Sequence, residues 1–156
     1  MTKTDNRGAF FGSLHAVLLL ALAASFLGCS NLPAEHPRVK AVDGAIIIPV
    51  AEVSDGMPHF YTYKHSGKRI NFFVRTDGAG ALSAYFDACF TCYKNKKGYR
   101  VEGTDLVCNE CNLSFRLADQ RWDNSRGCSP ILIKSGIRDK ALVIQVSDLE
   151  KGARLF

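Results

Sequence analysis

The sequence predicts a mainly β domain, a small antiparallel β-sandwich or barrel that carries a metal-binding subdomain built on two Cys-x-x-Cys hooks. Short apolar segments alternate with period two through most of the chain. Clusters of turn-forming residues separate them at regular spacing. Past the N-terminus, no window of about twelve residues carries the 3.6-residue stripe of an amphipathic helix. The 156 residues suffice for one ordinary domain. Apolar residues at 47% and charged residues at 22% lie near the globular average and exclude wholesale disorder. A net charge of +5 is too small to point to nucleic acid. No solenoid repeat or low-complexity tract is present.

Taken in order, the first element is an address. Lys3 and Arg7 precede an apolar run from Leu14 to Leu27. A helix crossing a hydrocarbon core needs about twenty residues, so this shorter run reads as a secretory h-region. Phe26-Leu27-Gly28-Cys29 resembles the lipobox of bacterial lipoproteins, with Phe26 where Leu is usual. That resemblance implies a signal peptide over 1–28 and lipidation of Cys29, which anchors the chain to a membrane. An uncleaved anchor and a soluble secreted product are the alternatives. No twin-arginine pair precedes the run, so export proceeds unfolded. Ser30 is not the Asp that retains lipoproteins on an inner membrane, which leaves the outer membrane, on its periplasmic side, as the default. Loss of 1–28 removes two cations and one anion, and +5 becomes +4. Residues 29–41, polar with two prolines, read as a tether, and 42–156 as the domain.

The strands follow. Ala45–Val53 is β-branched with Pro49 inside it, as in an edge strand or a bulge. His59–Lys64 reads as a strand joined to the next by the His65-Ser66-Gly67-Lys68 turn. Ile70, Phe72 and Val74 alternate with Asn71, Phe73 and Arg75, the pattern of a half-buried strand. Thr76–Gly80 turns into Ala81–Phe86. Near the end, Leu142, Ile144 and Val146 alternate with Val143, Gln145 and Ser147, after a turn at Arg138-Asp139-Lys140.

Chemistry concentrates between Cys89 and Cys128, which hold five of the six cysteines. Cys89-Phe90-Thr91-Cys92 and Cys108-Asn109-Glu110-Cys111 are two hooks with the spacing of a four-thiolate site. Attached c-type haem needs His after the second Cys, where Tyr93 and Asn112 stand. A thioredoxin-like dithiol needs its pair at a helix start. Structural disulfides suit an oxidising compartment and are the main bland alternative. Between Cys89 and Lys134, eight basic residues, among them Lys94, Lys96, Lys97 and Arg100, face five acidic ones. Such a collar offsets the −2 charge of four thiolates around Zn²⁺, or of an oxidised four-cysteine [2Fe–2S] cluster.

The stretch FDACFTCYKNKKGYRVEGTDLVCNECNLSF, with RGCSPILI and LVIQVSDLE after it and IIIPVAEVSDGMPHFYTY and INFFVRTDG before it, resembles the FtrD-like membrane iron–sulfur protein family. The likeness covers about residues 45–150. It implies an iron–sulfur cluster on Cys89, Cys92, Cys108 and Cys111, and electron transfer associated with iron transport, with an iron-uptake permease or redox protein as partner. Asn112 stands where the family commonly has Gly, and Ser129 where it tends to have Asn. More distantly, the order of strand, hook, gap, hook, Gly/Pro loop and final strands is similar to the Rieske domain, with Cys replacing each His; four thiolates lower a cluster's potential.

Cys128, between Gly127 and Pro130, is a candidate fifth ligand or redox thiol. His59 is a candidate further ligand, while His36 in the tether and His65 in a turn read as bland. No Ser-His-Asp order, carboxylate pair or phosphate loop supports a hydrolase. The expectation is an extracytoplasmic electron carrier rather than an enzyme, holding an iron–sulfur cluster, of which [2Fe–2S] is favoured. A zinc or copper ion in the hooks, or a dithiol–disulfide oxidoreductase, is the alternative.

Overall fold

The computed structural model describes residues 35–120, 122 and 127–156; the leader and Cys29 lie outside them. A five-stranded sheet runs in the order β1 (Arg38–Val39), β3 (His59–His65), β4 (Lys68–Thr76), β5 (Leu82–Cys89), β9 (Pro130–Ile133). Its pairings are antiparallel except that of β1 with β3, which is parallel. A second sheet joins β10 (Gly136–Arg138), β11 (Ala141–Gln145) and β2 (Ala45–Pro49), and a third joins β6 (Tyr99–Glu102), β7 (Asp105–Cys108) and β8 (Ser114–Arg116). A five-residue helix, α1 (Val146–Glu150), follows β11. The domain is mainly β and mostly antiparallel, as the alternation predicts.

Local chemistry explains the connections. Ser66 and Gly67 have φ of 47° and 78°, the paired positive values of a two-residue hairpin turn matched to strand twist. Pro49 closes β2, an edge strand, where its missing N–H costs no ladder bond. The apolar run does not continue as strand to Val53; Val50–Glu52 forms a 3-10 turn instead, and Val53 tucks fully into the core.

One expectation needs correction. The alternation predicts a half-buried strand at Ile70, but Ile70 through Arg75 are all buried. Ile70, Phe72 and Val74 pack with Ile46, Ile48, Leu142, Ile144 and Leu149 of the second sheet and α1. Phe73 and its neighbour Tyr85 pack with Tyr99 and Leu106 of the third sheet and with Leu117 and Trp122. Both faces of the five-stranded sheet are therefore covered. Arg75 sits on the second face with no exposure, donating to the carbonyls of Leu117 (2.5 Å), Asp119 (2.9 Å) and Gln120 (3.0 Å). Its guanidinium lies 3.7 Å from the Trp122 ring centroid. Arginine satisfies this face because it has five donors and a flat surface to stack.

The segment read as tether is tied to the domain from Glu35 onward. β1 pairs with Thr62 and Tyr63, His36 N–H donates to Thr62 Oγ1 (2.9 Å), and Glu35 bridges Arg38 and Arg69.

Candidate metal centre

Each hook begins on the last residue of a strand. Cys89 ends β5 and Cys108 ends β7, and both are buried. At the first hook, the Cys92 N–H points at Cys89 Sγ (3.2 Å), and Tyr93–Asn95 then makes a 3-10 turn. At the second, Asn112 N–H returns to Cys108 O (3.0 Å), and Cys108 N–H donates to Leu113 O (3.0 Å). Closing that loop takes a positive φ, 57° at Asn112, which Asn tolerates better than other non-glycine residues. The Asn112 Oδ1 accepts from Arg100 (3.2 Å), which also holds Asn109 Oδ1 (3.0 Å), while Lys97 pairs with Glu110 (2.7 Å). Part of the basic collar is thus scaffolding for the second hook.

A third loop completes the site. Gly127, with φ of 62°, leads into Cys128, and the loop is sewn to the first hook. Phe90 N–H donates to Ser129 O (3.2 Å), Thr91 Oγ1 to Gly127 O (2.8 Å), and Tyr99 Oη to Cys128 O (2.6 Å). Cys89 and Pro130 are registered partners of β5 and β9.

Five thiols converge here, all free. The Sγ atoms of Cys89, Cys92 and Cys128 lie within 4.8 Å of one another, and so do those of Cys92, Cys108 and Cys111. Cys128 is 3.7 Å from Cys92 and 2.9 Å from Cys111. Every cysteine singled out in the 89–128 window therefore belongs to one of two sulfur triangles that share Cys92. His59 does not join them: its Nε2 is 2.8 Å from Asp55 Oδ1, and it belongs to neither sulfur group.

Two further residues frame the site without a local sequence signal. Asp87, two residues before Cys89 and buried, accepts from Tyr99 N–H (2.7 Å) and meets His36 Nε2 (3.2 Å). His36, read as bland, thus contacts a buried carboxylate beside the first hook. Gly98 approaches the same carboxylate so closely that a Cβ would lie 2.5 Å from its oxygens.

Crowding governs ionisation. Burial, then hydrogen bonds with Cys89 and Cys128, push the Cys92 thiol far above the ordinary range, and burial raises Cys108. The contact with Cys111, then burial, push Cys128 up to about 12. Burial also opposes ionisation of Cys111, but hydrogen bonds from Cys128 and the Leu113 backbone outweigh it and bring Cys111 down to about 7. Tyr99 is raised by burial and by Cys89 and Cys108. Cys92, Cys108 and Cys128 thus resist ionisation without a partner, and a bound cation would favour their thiolates.

Residues 53–156 match the model of the family described as membrane iron-sulfur containing protein, FtrD-like. The chain belongs to this family. Curated proteins returned no match. Among the described residues no helix is long and apolar enough to cross a membrane. The FtrD-like description implies an iron–sulfur group, and the donor set fits one: five free thiols in two close triangles joined at Cys92. Such a group supplies one-electron chemistry when bound.

Proposed function

We propose that this FtrD-like protein is a lipid-anchored extracytoplasmic electron carrier, held to the membrane through Cys29 and passing electrons in support of iron transport. Cys89, Cys92, Cys108 and Cys111 hold the cluster, of the [2Fe–2S] type, whose charge matches the collar. The partner is an iron-uptake permease or its redox protein.

The observation that carries this reading is the convergence of free thiols at the domain's edge, with one of them, Cys111, exposed. Electron transfer needs an edge near solvent and a surface for a partner. Phe90 in the first hook and Leu113 beside the second are 54% and 49% exposed, giving that edge an apolar rim.

Anaerobic purification of the membrane fraction from the native host tests the reading. The expected product is coloured, bleaches on reduction, and contains iron and acid-labile sulfide in equal amounts. A colourless protein with zinc would overturn it.

A further inference from the structure

The proposed ligand set uses four sulfurs, yet the structure brings five together. Two thiolates bound to one tetrahedral ion with metal–sulfur bonds of about 2.3 Å sit about 3.8 Å apart. Cys92 and Cys128, at 3.7 Å, have that spacing. Cys111 and Cys128, at 2.9 Å, are too close to occupy two corners of one tetrahedron. They point at the same corner.

Cys128 is not an incidental neighbour. Its loop is fixed to the first hook by Phe90, Thr91 and Tyr99, and its strand is registered against Cys89. It closes a sulfur triangle with Cys89 and Cys92, as Cys111 does with Cys92 and Cys108. Each of the two rivals therefore arrives on its own loop, one following β7 and the other preceding β9.

We propose that Cys111 and Cys128 are alternative ligands for a single coordination position, so that the site holds its metal with either one. This rests on reading the thiol cluster as a metal centre. Exchange is conservative: the incoming thiol releases its proton, the outgoing thiolate takes one up, and no electron moves.

The test uses the full-length chain in detergent, stripped of metal under anaerobic reducing conditions and titrated with Co²⁺ alone. Cobalt reports tetrahedral thiolate ligation through its visible and sulfur charge-transfer bands. Cys111→Ser and Cys128→Ser should each retain the four-thiolate spectrum and bind within about tenfold of wild type, whereas the double variant should lose one thiolate and bind at least about 100-fold more weakly. Either single variant as weak as the double would make that cysteine the sole ligand and overturn the proposal.

Wild type supplies a check that needs no variant to fold. In the Co²⁺-loaded protein, iodoacetamide followed by mass spectrometry should divide its label between Cys111 and Cys128 while sparing Cys89, Cys92 and Cys108. Label on only one of the two, or a Cys111–Cys128 disulfide in the loaded protein, counts against interchange alone. If wild type gives no thiolate spectrum, the metal-centre reading fails and takes this one with it.

Discussion

On one face of the five-stranded sheet, Ile70, Phe72 and Val74 meet Ile46, Ile48, Leu142, Ile144 and Leu149. On the other, Phe73 and Tyr85 meet Tyr99, Trp122, the Arg75 guanidinium and two of the cysteines. The first interior is aliphatic and is held by the area it removes from water. The second is aromatic and polar, and its groups need named partners: carbonyls for Arg75, a carbonyl for Tyr99 Oη, one another for the thiols. The sheet covering it has strands of only four, four and three residues, near the lower limit of sheet size. The first interior is complete in itself; the second is the one a bound metal would reinforce.

The strongest way to expose that difference is to strip the metal, or to replace Cys108 by Ser. Metal binding and folding are coupled at thiolate sites, with apparent energies reaching about 10 kcal/mol. Amide exchange should rise steeply across residues 99–116 while β2 and β11 keep their protection. Equal loss on both sides would merge the two interiors into one cooperative unit.

Next in size is Phe72→Ala. Truncating a fully buried Phe costs about 3–5 kcal/mol. Denaturant unfolding should show the same loss with metal bound and with metal removed. A metal-dependent loss would tie the aliphatic face to the site.

Arg75→Met should cost about 2–3 kcal/mol, because it leaves carbonyls of Leu117, Asp119 and Gln120 without their donor. The damage should fall on the third sheet, seen as faster exchange at β8 than at β10.

A smaller effect is protonic. Cys111 ionises near 7 in the folded, metal-free protein. Below that pH it holds a proton that metal binding must displace; above it, the proton has already gone. Proton release per bound Zn²⁺, measured by calorimetry in two buffers, should fall by about one as pH rises through 7. A flat profile would place the first ionisation on another sulfur.

Least of all, Asn112→Gly should change stability by a few tenths of a kcal/mol, whereas Asn112→Ala should cost about 1 kcal/mol for the left-handed backbone. Thermal melts of both variants compare the two directly.

Where the chain encodes structure locally, the sequence is readable. The hook spacing, the Ser66-Gly67 turn and the Pro49 edge strand all depend on neighbours a few residues away. The two-sided burial of β4 is not local: Asn71, Phe73 and Arg75 look solvent-facing until a second sheet is laid over them. The contact of His36 with Asp87 spans 51 positions, and no periodicity marks either residue. Cys128 falls between. Its Gly and Pro neighbours signal a fixed loop, but only the pairing of β5 with β9 brings it back to the first hook.

Cys92 has a property the other sulfurs lack: it belongs to both sulfur triangles. Viewed as a network, the site joins its two triangles at this node alone. Oxidative loss of Cys128 leaves the Cys92–Cys108–Cys111 triangle whole, and loss of Cys111 leaves Cys89–Cys92–Cys128 whole. Damage at Cys92 dissolves both at once. Wear at the exposed sulfur, Cys111, would thus leave one triangle standing, whereas loss of Cys92, around which the rest are arranged, would leave neither.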